Sequence, residues 1–250
     1  MFGILTSLIT KAQDVDPIQT DRPDQTESPA LTPKRQVQVE IGFAFEQDVV
    51  GGTQFRNITH PNILTKYGVN DRFELRLVTE YAGSRIATAV GEVGTQTISP
   101  TLIGLKVNFC DEKKWIPKTS MIFHLGIPAL ASKVYHQDGI FNTFRFLMQH
   151  TLSDRMSLSY NLGAEWDGVV SSTTGIYTLS LSYGLLPKLG AYIELYGFVP
   201  QQTAAMHQYD MGMTYLVTRD IQLDVSGGFG LNAAAPDYFI GCGISFRTGH

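Results

Sequence analysis

Apolar and polar residues alternate along this chain in runs that restart about a dozen times. In the first run, Arg35 to Gln47, Val37, Val39, Ile41, Phe43 and Phe45 share one face, while Gln36, Gln38, Glu40, Gly42, Ala44 and Glu46 share the other. Successive side chains of an extended strand point to opposite sides, so each run reads as a β-strand with one greasy and one polar face. A soluble sheet would turn the greasy face toward a protein core. A transmembrane barrel turns it toward lipid and encloses the polar face. Alternation alone fits both arrangements.

Turn residues divide the chain into strands near 35–47, 54–68, 72–82, 97–109, 119–128, 139–151, 155–165, 174–185, 189–198, 205–217, 221–230 and 236–247. Most reach the roughly 9 to 11 residues that a tilted strand needs to cross a bilayer, against a usual 5 to 6 in soluble sheets. Connections alternate in length. Tight turns fall at Val69 to Asp71, Ser153–Asp154, Pro187–Lys188 and Thr218 to Asp220, with a longer polar one at Asp111 to Lys118. Looser segments lie between them, at 48–52, 83–94, 129–138, 166–173, 199–204 and 231–235. With the N-terminus on the periplasmic side, every tight turn faces the periplasm and every loose loop faces outward, as in outer-membrane barrels. The expected fold is therefore an all-β, antiparallel up-and-down transmembrane barrel of about twelve strands. Pro61 and Pro100 weaken the ladders of the second and fourth strands and leave that count open by one hairpin.

A closed barrel places the polar faces in the lumen, where Glu40, Arg72, Glu74, Arg76, Lys106, Arg145, Glu194, Asp210 and Asp224 become candidate lining and selectivity residues. Both signs are present, and a charge shut away from water needs partners. Phe45, Tyr67, Tyr81, Phe109, Tyr160, Tyr183 and Tyr215 sit near strand ends, where aromatic girdles form. In the last strand Gly241, Ile244 and Phe246 resemble the C-terminal signal read by the barrel-assembly machinery, although Arg247 to His250 trail beyond it.

Composition narrows the remaining classes. A net charge of −4 and a pI near 5.8, with acids and bases interspersed, give no basic face for nucleic acid. No apolar stretch is long enough for a spanning helix. Cys110 and Cys242 make no disulfide framework, and the six histidines lack metal-ligand spacing. No phosphate-binding loop, nucleophile elbow or zincin motif occurs, so no cofactor or metal is expected. Ser120 and His124 share a strand face but stand about 13 Å apart along it, too far for a catalytic hydrogen bond. Residues 1–13 read as part of a secretory signal peptide, and with the barrel pattern the expected location is the outer membrane of a Gram-negative bacterium. Residues 14–34 read as an extended periplasmic segment, and residues 35–250 as the barrel.

The run Thr20 to Pro29 (TDRPDQTESP), the Gln- and Glu-rich first strand and the stretch Tyr67-Gly68 with Asn70 to Arg76 (NDRFELR) resemble a bacterial outer-membrane family. It is the transporter family associated with the meta pathway of phenol degradation, in its Bacteroidetes-type form. The resemblance implies a porin-like barrel that passes small hydrophobic or aromatic molecules, with outer-membrane lipids as its surroundings and no catalytic residues. For Asp21, Arg22, Asp24 and Glu27 two readings stand side by side: a periplasmic latch that folds into the barrel mouth and pairs with lumenal charges, or a solvated leader that caps the first strand. For the whole chain, a passive channel competes with a closed structural or surface-interaction barrel and, further off, with a lipid-modifying outer-membrane enzyme.

Overall fold

The structure, a computed structural model, describes residues 16–127, 140–166 and 172–248. Those residues form thirteen β-strands and no helix: β1 (Val37–Val50), β2 (Thr53–Gly68), β3 (Phe73–Thr88), β4 (Gly91–Ile98), β5 (Thr101–Cys110), β6 (Lys118–Ile127), β7 (Asn142–Ser153), β8 (Met156–Trp166), β9 (Thr174–Leu186), β10 (Leu189–Pro200), β11 (Met206–Thr218), β12 (Ile221–Gly230) and β13 (Tyr238–Thr248). All neighbouring pairs are antiparallel. The pairing of β1 with β13 and of β2 with β3 closes the sheet into a barrel of twelve strands, with β4 as an addition outside the ring.

Two prolines account for the irregularities in the ladders around β2 to β5, while the shifts at Leu189/Gly190, Leu216/Thr218, Asn108/Cys110 and Thr151/Ser153 fall at strand ends next to turns. The β1–β2 register shifts between Gly42 and Ala44, and the β2–β3 register shifts between Thr59 and Asn62, across His60-Pro61, where one backbone donor is missing. Pro100 has a larger effect. What reads in sequence as one strand over 97–109 is broken there into β4 and β5, which use different halves of the same neighbour. Phe73–Val78 of β3 pairs with β5, and Tyr81–Thr88 of β3 pairs with β4. The segment expected to be a loose loop at 83–94 is instead the tip of this β3–β4 hairpin, on the loop side of the barrel.

Burial is inverted relative to a soluble protein. Glu40, Lys106, Glu74 and Asn161 are each 0% exposed, whereas Leu75 is 49%, Ile103 51%, Val225 55% and Ile240 58% exposed. Hydrocarbon stabilises such an outward apolar band, and the closed ladder satisfies the backbone groups that lipid cannot.

Candidate functional site

Residues 16–34 do not stay outside the barrel. The segment enters at the tight-turn rim, where Ile18 N donates to Arg219 O at 2.7 Å and Arg247 Nη2 donates to Asp16 O at 2.8 Å. It returns to the same rim, where Lys34 bridges Gly68 and Arg35 N donates to Gly68 O at 2.6 Å. Between these anchors the chain loops through the lumen and meets two walls of opposite charge.

The wall built by β2, β3 and β5 is basic. Asp21 Oδ2 lies 3.0 Å from Lys66 Nζ and 2.8 Å from Arg76 Nη1, and its Oδ1 lies 3.1 Å from Lys106 Nζ. Burial alone would raise the Asp21 carboxyl, but Lys106, Lys66 and Arg76 together outweigh it and hold the group well below the usual carboxylate range. Each cation also has wall or segment partners: Lys66 meets Glu40 at 2.6 Å, and Arg76 meets Glu74 at 3.1 Å and Glu27 at 2.7 Å. Lys106 Nζ donates to Ser28 O at 2.9 Å and Ala30 O at 3.2 Å. An ion taken out of water costs several kcal/mol even after relaxation, so a cluster like this persists only when its donors and acceptors are shared around. Farther along the loop Thr32 N donates to Glu74 Oε2 at 2.6 Å, and neutral side chains add to the hold: Ser120 Oγ donates to Pro29 O at 2.7 Å, and Glu27 N donates to Asn161 Oδ1 at 2.7 Å.

The opposite wall, from β10 to β12, is acidic. Arg22 reaches across to it and pairs with Asp224 at 3.0 Å while donating to Cys242 O at 3.1 Å. Farther along, Gln25 N donates to Glu194 Oε2 at 2.7 Å, and Thr26 Oγ1 donates to Glu194 Oε1. Glu194 and Asp210 are direct cross-strand partners on the lumen face.

The loop leaves a vestibule at each end of the lumen, with a further cavity of about 360 Å³ beside Tyr196 and Gln208 that Arg22 and Pro23 also line. One vestibule, of about 470 Å³, opens at the tight-turn end beside Ser153 to Met156. The other, of about 440 Å³, opens at the loop end beside Asn62, Glu80 and Glu165. Arg22, Pro23 and Asp24 line both and so form the partition. On one side of the outer vestibule Leu64, Val78, Leu102, Ile122 and Phe141 supply an apolar surface, next to Arg76, His124 and Arg145.

Of the wall residues singled out in the sequence, Glu40, Glu74, Arg76, Lys106, Glu194, Asp210 and Asp224 are buried in the interior. Arg145 is half-buried and donates to Gln25 O at 3.2 Å. Arg72 is a correction. β3 begins only at Phe73, and Arg72 sits exposed in the preceding turn, its backbone N–H bonded to Asn70 Oδ1 at 2.8 Å. The sequence reading also passed over Lys66, 1% exposed and paired twice. Its lumenal parity follows from Asn62–Gly68 alone; counting from the start of β2 across Pro61 hides it. Ser120 and His124, weighed as catalytic candidates, both face the lumen and bind other groups: His124 Nε2 accepts from Arg76 Nε at 3.2 Å. Both cysteines are free and exposed. The expected leader at 1–13 lies outside the described residues.

Comparison with solved structures places this geometry among known barrels. An outer membrane channel from Pseudomonas putida F1 superposes with a TM-score of 0.70 at 13% identity, covering 92% of this chain and 100% of that one. The translocator domain of the autotransporter NalP from Neisseria meningitidis gives 0.55 at 11% identity, with 85% and 88% covered. The KdgM porin gives 0.54 at 11% identity, with 84% and 99% covered. Identities this low establish a shared fold, that of outer-membrane channels and porins, and the different roles of the three show that the fold alone does not decide function. No curated protein matches the chain in sequence. A family profile does match it over residues 20–248, nearly the full length, and the chain therefore belongs to the family described as "Putative MetA-pathway of phenol degradation".

Proposed function

We propose that this chain is an outer-membrane channel for small hydrophobic or aromatic molecules, closed at rest by its own N-terminal segment. The observation that carries the reading is the partition at Arg22 to Asp24: two vestibules approach each other through the barrel and are separated by a loop that the walls hold through ion pairs and hydrogen bonds. A structural barrel gains nothing from cavities that nearly meet. Asp21, Arg22 and Glu27 act as the bolts of the latch, and the buried wall charges Glu40, Glu74, Arg76, Lys106, Asp224, Glu194 and Asp210, with half-buried Arg145, form its sockets. With the segment displaced, the same charges line the pore and set its preference.

The apolar strip at Leu64, Val78, Leu102, Ile122 and Phe141 supports the solute class, because a ligand site that takes a ring needs a concave apolar wall with a few polar groups beside it. The family's association with phenol degradation points the same way. The charge pairing that fills the lumen favours a second reading, a permanently sealed barrel that serves structure or surface contact. Removing residues 20–29 and measuring both planar-bilayer conductance and uptake of phenol-sized solutes into liposomes separates the two. The channel reading expects larger conductance and faster uptake in the deletion; equal values in both proteins favour the sealed barrel.

A further inference from the structure

The segment's contacts match charge for charge at every point but one. Asp21 and Glu27 face the basic wall, Arg22 faces Asp224, and Asp24 faces the acidic wall. Glu194 and Asp210 stand directly opposite each other on β10 and β11, 1% exposed each, and their carboxyls are within hydrogen-bonding reach of one another. Two carboxylates cannot share a hydrogen bond unless one carries a proton. Asp210 Oδ1 is buried and accepts no hydrogen bond from any conventional donor, and Tyr192 Oη reaches only Oδ2, at 3.4 Å. Asp24, immediately before the Gln25 N–H that binds Glu194, brings a third carboxyl to this pair.

We propose that Asp24, Glu194 and Asp210 form a proton-holding seat for the N-terminal segment, and that losing the proton releases the Pro23–Gln25 stretch and joins the two vestibules. The proposal rests on the reading of this segment as a channel plug and adds the signal that moves it. Like charges directly across an antiparallel pair repel, and a third one brought in by a movable segment leaves by moving the segment. The surroundings fit this: the wall cation that meets the stretch, Arg145 of β7, donates to the backbone Gln25 O at 3.2 Å rather than to a seat carboxyl. From β10 come Glu194, Tyr192 and Tyr196; from β11, Asp210; from β12, Asp224, already matched by Arg22. β9 contributes the neutral Thr178 and Ser180, and on the segment itself Asp21 is held by its three cations. Among the described residues no cation is paired with Asp24, Glu194 or Asp210.

Burial and the adjacent Glu194 push the Asp24 carboxyl well above its ordinary range. A group raised in the seated state stabilises that state below its ordinary value, and the stabilisation is lost as pH rises through the seated value. The seat therefore holds in acid and lets go in base.

The test uses the full chain in planar bilayers, scanned from about pH 5 to about pH 9, where one linked proton changes the open fraction by up to about tenfold per pH unit. Conductance is expected to rise with pH in the wild type and to stay low and flat in Asp24→Asn, whose neutral amide cannot be driven out by losing a proton. Glu194→Gln with Asp210→Asn should flatten the profile as well, and heat-modifiable gel mobility reports whether each barrel has folded. A flat wild-type profile, or full pH dependence in Asp24→Asn, overturns the proposal. The deletion of residues 20–29 separates this failure from failure of the plug reading. If the deletion conducts freely while the wild type ignores pH, only the proton seat is wrong; if the deletion changes nothing, the plug reading falls and takes the seat with it.

Discussion

Gly42 stands directly opposite Gly243 across the seam where the first and last strands close the barrel, and the side chain of Arg22 fills the notch that the pair leaves. A Cβ on Gly42 would come within 1.8 Å of Arg22 Nη1, and one on Gly243 within 2.5 Å of Arg22 Nε. At Gly42 the obstructing atoms all belong to the far end of the Arg22 side chain, so a methyl group there moves Arg22 and leaves the wall in place, whereas at Gly243 the backbone oxygen of Ile41 also stands 2.7 Å away. Gly42→Ala should therefore break the 3.0 Å pair between Arg22 and Asp224 without unfolding the barrel. Single-channel conductance should increase while heat-modifiable mobility stays as in the wild type, and a loss of the folded band instead would place the glycine's role in the strand rather than in the notch.

Among the described residues, Asp21 is the one carboxylate that pairs with Lys66, Arg76 and Lys106 together. Removing one partner from a buried ionic cluster costs about 3 to 5 kcal/mol when the remaining charges stay dry. Here they need not stay dry, because withdrawing the segment floods the lumen and rehydrates all three cations. Asp21→Asn should take that route, opening the channel and raising hydrogen exchange across residues 20–30 while strand amides remain protected. Acid acts on the same contact in the wild type. A carboxyl held below its ordinary value stabilises the seated state above that value, and the stabilisation is lost as pH falls through the seated one. Strong acid should thus free the basic side of the segment, and unchanged exchange at residues 20–30 in Asp21→Asn would show that the bolts lie elsewhere.

What could be read in advance divides along the same physical lines. Strict parity survives wherever a ladder is unbroken, which is why Glu40, Glu74, Arg76, Lys106 and Asp224 could be assigned to one face from alternation alone. Parity fails at bulges, and Lys66 lies just past the one at Thr59/Asn62. It also fails at a strand end, where Arg72 continues the pattern of Glu74 and Arg76 but sits in the turn. The acids and the arginine at Asp21, Arg22 and Glu27 stood out as chemistry, yet their partners come from β2, β3, β5 and β12, and no local pattern reports a contact between residues 202 positions apart, such as Arg22 and Asp224.

The β3–β4 hairpin extends the wall beyond the ring that β3 and β5 complete. Its outer half is tied to the remainder through the loop end of β2, at Gln54 to Thr59, and β5 pairs only with Phe73–Val78. Replacing residues 85–96 with a short turn should leave the folded band and the resting conductance intact. Loss of folding would mean that the extension nucleates the closing pair rather than decorating it.

One substitution reports directly on the medium around the barrel. Ile193 lies mid-strand on β10, 48% exposed, between Met211 and Leu181 on the neighbouring strands. Its sequence neighbour Glu194 points the other way and is 1% exposed. If water bathed Ile193, an arginine there would be nearly neutral, within about 0.5 kcal/mol, as for most surface changes. If hydrocarbon bathes it, the same arginine should cost about 2 to 4 kcal/mol near the bilayer midplane and less toward the interfaces. Reversible unfolding in lipid vesicles measures the difference, and Val50→Arg, at the outer end of β1 and 55% exposed, serves as the near-interface control. A penalty for Ile193→Arg well above that for Val50→Arg is the expected result, and equal, negligible penalties at both sites would show that the outward apolar face does not meet lipid.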